Sequence, residues 1–131
     1  MYSETVLDHF RAPRNAGMMR HPDAVGESED LTCGDLARFY LRVEEGRVTE
    51  ARFQTYGCGP SIAASSLATE LVQGRGLEVI GGLTPAGVEQ ALGGLPADRR
   101  HAAQLVVDAL RAAAAQYRQY RGMGRPEADR A

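Results

Sequence analysis

Two short segments, Thr32-Cys33-Gly34-Asp35 and Tyr56-Gly57-Cys58-Gly59, carry the side chains of this sequence best suited to chemistry. A thiolate beside a carboxylate can hold a borderline metal such as iron or zinc. Cys33 and Asp35 stand two residues apart at the start of an expected strand. Their side chains are therefore expected on one side, the side shared by Ala37 and Phe39. Cys58 lies between two glycines directly before an expected helix. The glycines let the backbone bend and a ligand come close, and a helix N-terminus favours a thiolate. His101 is the next candidate, beside Ala102 at the head of the last helix. Taken singly, each is ambiguous: a lone cysteine is commonly a small buried hydrophobe, and a histidine at a helix start commonly faces solvent. The two cysteine motifs flank one hairpin, however, and a hairpin returns its ends to neighbouring positions. Cys58 and His101 could also form the nucleophile and base of a thiol hydrolase. That reading lacks an orienting third residue, and its only oxyanion donors are those of the helix start. His9 reads as a packing residue and His21 as a loop residue.

Composition narrows the field. The 131 residues are 44% apolar, enough for one domain with a real core. With two cysteines, a disulfide-stapled mini-protein is excluded, and so is a four-thiolate site within one chain. There is no membrane-length apolar run. Met1-Tyr2-Ser3-Glu4 does not read as a signal peptide, so a cytoplasmic location is expected. Residues 1–35 carry three Arg and seven acids, a net of −4, whereas residues 96–131 carry seven Arg and four acids, a net of +3. The basic end could steer an acidic partner. It is too weakly charged and too poor in interleaved aromatics for nucleic acid. Lysine is absent, which removes Schiff-base and lysine-base chemistry.

The elements that must position these residues follow from periodicity. Ser3 can cap a helix running through Arg11, with Tyr2, Val6 and Phe10 on one side. Residues 12–30 read as an irregular arm with a short edge strand near Val25–Thr32. Leu36–Val43 alternates as a strand, with Ala37, Phe39, Leu41 and Val43 on one face and Arg38 and Arg42 on the other. Glu45-Gly46 supplies a turn into the return strand Arg47–Tyr56. A helix opens at Pro60 or Ser61 and closes near Gly74. Two short helical pieces follow, around Leu77–Ile80 and from Thr84-Pro85. The last helix is expected from about Asp98 to Tyr120, with Ala102, Leu105, Val106, Ala109, Leu110, Ala113 and Tyr117 as its apolar stripe. Strands first and helices afterwards predict an α+β domain over residues 1–121: a small antiparallel three-stranded sheet with helices on one face and a long C-terminal helix. Residues 122–131 read as a polar, disordered tail.

At this point the residues resemble a family. Tyr2-Ser3-Glu4, Asp8-His9-Phe10, Pro13-Arg14-Asn15, Cys33-Gly34-Asp35, the run Ala51-Arg52-Phe53-Gln54-Thr55-Tyr56-Gly57-Cys58-Gly59, Ile62-Ala63-Ala64-Ser65-Ser66 and Thr69-Glu70 are together similar to the IscU/NifU-type iron–sulfur cluster assembly scaffolds. The likeness extends to about residue 120 in one register. It implies a non-enzymatic protein that binds iron and a transient Fe–S cluster, [2Fe–2S] or [4Fe–4S], with zinc as an alternative resting metal. It implies Cys33, Asp35, Cys58 and His101 as the ligands. As partners it implies a cysteine desulfurase, apo iron–sulfur proteins as recipients and, through a degraded recognition segment at Leu95–Arg99, an Hsp70-type chaperone. Where the family carries a third cysteine, this chain has Ala102. Four thiolates are then expected only from a homodimer, with Asp35 or His101 as substitutes. A member that binds a desulfurase or chaperone and regulates it without holding a cluster is the alternative reading.

Overall fold

The computed structural model describes residues 2–123. The first helix, α1 (Glu4–Arg11), starts where Ser3 Oγ accepts the Val6 N–H at 3.1 Å. The same hydroxyl donates to the Leu92 carbonyl and so ties the helix start to a distant turn. Val6 and His9 form its buried face, while Tyr2 and Phe10 stay exposed. The expected Tyr2–Val6–Phe10 face is thus corrected. A helix of eight residues offers one narrow stripe, and the i, i+3 pair 6 and 9 fills it.

The strands β1 (Ala24–Asp30), β2 (Asp35–Glu44) and β3 (Arg47–Tyr56) form an antiparallel sheet in the order 1-2-3. Glu45 and Gly46 both have positive φ, 51° and 76°, the two-residue hairpin turn whose twist matches the flanking strands. Alternation holds as read: Ala37, Phe39, Leu41 and Val43 are buried, and Phe39 opposes Phe53 with ring centroids 6.4 Å apart. The opposite face is polar, with Arg38 bound to Glu27 at 2.8 Å and Tyr40 Oη donating to Gln54 at 2.6 Å.

Both outer edges of the sheet are dressed. Along β3, Gly17 N–H donates to the Phe53 carbonyl (2.8 Å), and Phe53 N–H donates to Asn15 (3.0 Å). Further along, Ala51 N–H donates to Gln73 Oε1 (2.9 Å) and Val48 N–H to the Arg75 carbonyl (2.8 Å). On β1, Val25 N–H donates to Gln116 Oε1 at 2.7 Å.

Helices cover the apolar face: α2 (Gly59–Val72), α3 (Glu78–Gly82), α4 (Pro85–Ala91) and α5 (His101–Met123). Thr84 caps α4 through the Gly87 N–H, with Pro85 opening the helix. α5 begins three residues later than Asp98, because Ala97–Arg99 tightens into a 3-10 turn held by Arg99 N–H to Pro96 O at 2.8 Å. The α5 stripe from Ala102 to Ala113 is buried as expected, joined by Ala103, Val107 and Ala114. α5 lies directly on β1 at Gly26, where a Cβ would overlap the Ala113 nitrogen and the Ala109 carbonyl oxygen. The helix runs through Met123, so residues 122 and 123 are helical, and the rest of the expected tail lies outside the described residues. Among the described residues, no helix is long and apolar enough to cross a membrane.

α2 is buried on nearly every side, including Ser61, Ser65, Ser66 and Thr69. Each of these hydroxyls has a partner. Ser66 Oγ meets His9 Nδ1 at 2.8 Å and accepts the Arg14 N–H at 2.8 Å, while His9 Nε2 faces Glu70 at 3.3 Å. Burial, and then the Arg14 charge, lowers the His9 pKa from its ordinary value, against opposing pulls from Glu70 and Asp8. The unfolded chain therefore binds a proton that the folded chain resists. Stability from this group is full above the ordinary histidine value of about 6.5 and is lost as pH falls from there through the lower folded-state value. Urea midpoints measured from pH 7.5 to pH 5 are expected to fall, and to fall less steeply in His9→Gln. Equal slopes in the two proteins would contradict this.

Candidate metal centre

Asp35 is the hub of the site. It is the first residue of β2, points to the helix-covered side, and is 5% exposed. Its Oδ2 accepts from Ser61 Oγ at 2.8 Å, and it lies 3.3 Å from His101 Nε2 and 3.5 Å from Cys58 Sγ. Burial opposes ionisation of Asp35. The hydrogen bonds from Ser61, His101 and Cys58 outweigh it and hold the carboxyl below its usual range. Cys58 is the N-cap residue of α2, half-buried, with Sγ 3.2 Å from Ser61 Oγ. His101 opens α5 and is half-buried. The ligand atoms of Asp35, Cys58 and His101 all lie within 4.8 Å of one another.

Cys33 arrives by a different route from the one its spacing suggests. Residues 31–34 form a turn, Gly34 has φ +75°, and Cys33 is exposed while Asp35 is buried. The rule that residues two apart share a face holds inside a pleated strand and not across a left-handed glycine. Cys33 nevertheless reaches the same end of the molecule, grouped with Asp30 and His101 within 4.8 Å. The expected neighbours Cys33 and Cys58 thus fall into two adjoining ligand groups that share His101. Partial desolvation pushes the Cys33 thiol up, Asp30, Asp35 and Cys58 add to that, and the Arg99 guanidinium opposes it.

The donors present, two thiols, carboxylates and an imidazole, are those of a site for iron or zinc. Spacing did not single out several residues that shape it. Ser61 sits three positions after the cap residue Cys58, which places its hydroxyl over the helix start. Gly57 leaves room for the buried carboxylate: a Cβ there would lie 2.6 Å from Asp35 Cγ. Asp30 Oδ1 accepts the N–H groups of Thr32 (3.0 Å) and Cys33 (3.3 Å), a turn whose sequence signal is an Asp two residues before Thr32. His21 lies in an exposed loop with φ 53°, and His9 is in the core, so neither joins the site.

A three-stranded antiparallel sheet capped by helices, with cysteine, carboxylate and imidazole gathered at one end, is the build of a small metal-handling scaffold domain. The family model described as the NifU-like N terminal domain matches residues 1–123, and the chain belongs to that family. It is 44% identical over 117 residues to iron-sulfur cluster assembly scaffold protein IscU 1 of Archaeoglobus fulgidus, covering 89% of this chain and 76% of that protein. It is 38% identical over 125 residues to iron-sulfur cluster assembly scaffold protein IscU of Haemophilus influenzae, covering 92% and 98%. Among solved structures, a NifU-like N-terminal protein from Brucella abortus superposes with TM-score 0.73 at 19% identity, over 89% of this chain and 94% of that one, a likeness of fold.

Proposed function

We propose that this protein is an iron–sulfur cluster assembly scaffold, a carrier and not a catalyst. It holds iron and a nascent cluster as cargo through Cys33, Asp35, Cys58 and His101. The observation that carries this reading is the convergence of Asp35, Cys58 and His101 within 4.8 Å, with Cys33 in the adjoining group around the same histidine. A carboxylate kept ionised at neutral pH by three hydrogen bonds is a ready ligand. It is also a more labile one than a thiolate for iron, which suits a cluster that must leave. The family and the scaffold relatives support the cargo. Two thiols per chain make a [2Fe–2S] cluster shared between two copies the arrangement of choice, with Asp35 and His101 filling the remaining positions. Zinc is an alternative resting ion for the same donors.

Sulfur then comes from a cysteine desulfurase, and apo iron–sulfur proteins take the product. Apolar side chains around the mouth support such docking. Leu31 is 84% exposed two residues from Cys33, Tyr56 is 59% exposed beside Gly57, and the Phe10 ring lies against Gly59. The Leu95–Arg99 segment is the candidate contact for an Hsp70-type chaperone, and the charge of its Arg99 acts on the Cys33 thiol.

Anaerobic reconstitution with ferrous iron and sulfide, followed by iron counting and size exclusion, tests the reading. A coloured species carrying iron, lost in a Cys33→Ser, Cys58→Ser double variant, is the expected result. A colourless chain that takes up neither iron nor zinc would sink it and favour a regulator that binds the desulfurase or chaperone without a cluster. The absence of any donor at Ala102 motivates that second reading.

A further inference from the structure

We propose that Asp30 is itself a metal ligand, forming with Cys33 and His101 an outer position for a divalent transition-metal ion beside the inner group of Asp35, Cys58 and His101. The inference rests on the iron-holding reading above and deepens it.

Asp30 ends β1 directly opposite Asp35 at the start of β2, so the pairing of the two strands sets two carboxylates on either side of the turn that carries Cys33. Its ligand oxygen, the Cys33 sulfur and a His101 ring nitrogen all lie within 4.8 Å of one another. Tetrahedral zinc has bonds of about 2.0–2.3 Å, and hence donor–donor edges of roughly 3.3–3.8 Å. An ion need draw these side chains in by roughly 1 Å, well within the reach of an exposed turn. Capping the turn occupies Asp30 Oδ1. A carboxylate has two oxygens and about four acceptor sites, so capping leaves capacity for a metal. Two cysteines cannot complete a four-coordinate ion, and oxygen and nitrogen donors must supply the rest. Asp30 and Cys33 are two anionic donors in one turn. A groove of about 330 Å³ adjoins this group, lined by Glu29, Asp30, His101 and Asp108 among others. Three acids on that wall raise the local concentration of a cation and give it an entry path.

Zinc alone is the probe, added at stoichiometric amounts to the full chain. Alkylation of each cysteine is followed by peptide mass spectrometry. In the unsubstituted chain, zinc is expected to slow alkylation of both Cys33 and Cys58. In Asp30→Ala and Asp30→Asn, protection at Cys33 is expected to drop about tenfold or more while Cys58 stays protected, which also reports that the fold is intact. Asparagine keeps the capping oxygen and lacks the charge, so a purely turn-forming Asp30 would leave the Asn variant like the parent. Wild-type protection of Cys33 in Asp30→Asn overturns the inference. Zinc that protects neither cysteine of the unsubstituted chain overturns the iron-holding reading beneath it.

Discussion

Ala102→Cys is expected to raise the iron retained after reconstitution by about tenfold or more, since even outer-shell partners of a metal shift affinity about 10–100-fold. Ala102 follows His101 in the first turn of α5 and is fully buried. Side chains on a helix lean toward its N-terminus, here the end that carries His101 and meets Asp35. A thiol at 102 therefore arrives from the helix side, where Asp35 and Cys58 already lie. Extra volume in a packed core costs stability, typically about 1–3 kcal/mol, which a bound ion would offset. Fewer thiolates would then be needed from a second copy, so the loaded species should move toward the monomer on size exclusion. Ala103→Cys is the control. Ala103 is equally buried, 1% exposed, but points a further 100° around the helix, and its thiol should bring the stability cost without the iron. Iron retention in Ala102→Cys no higher than in Ala103→Cys would show that position 102 does not look onto the site.

Gly26→Ala is expected to destabilise the fold by about 3 kcal/mol or more, at the top of the range for overpacking, which lowers Tm by roughly ten degrees in a domain of this size. The atoms that an added methyl would strike, Ala113 N and Ala109 O, belong to the backbone of α5 and cannot rotate away. Relief requires α5 to lift off β1 and uncover Leu105, Leu110 and their neighbours. Gly81→Ala is the counterpart. Its Cβ would enter open space in α3, and alanine is the better helix former, so a small gain is expected. Thermal melts of the two variants should differ in sign. A Gly26→Ala protein that melts with the parent would mean that the strand and helix do not approach this closely.

The fold was largely legible because β2 alternates through its centre; the bulge at Arg42/Val43, which buries both Val48 and Ala51 on β3, carries no such periodic signal. The run from Ala37 to Val43 admits one face assignment, and Glu45-Gly46 admits one turn. Thr84-Pro85 marked a helix start through chemistry that is local by nature. The site was legible in part. The hairpin argument, made for the two cysteine motifs, agrees with Cys58 lying 3.5 Å from Asp35, whereas His101, read as commonly solvent-facing, is held 3.3 Å from Asp35 by the packing of α5. Two features escaped for definite reasons. Gly34 breaks the period of two, so Cys33 could not be placed by parity from Asp35. Asp30, the ligand proposed above, is set opposite Asp35 by cross-strand pairing, and that register belongs to the folded sheet and not to any short stretch of sequence.

The dressed edges of the sheet bear on how two copies can meet. The segments 15–17 and 73–77 occupy the flank of β3, while Gln116 takes up the Val25 N–H on that of β1. A second chain adding a strand beside β3 would have to displace the segments that already bond to Val48, Ala51 and Phe53. Under the proposed sharing of a cluster, two copies would meet at the turns bearing Cys33 and Cys58, with the cargo itself as the glue. In that proposed arrangement the pair would come apart when the cluster leaves, and delivery and dissociation would become one event.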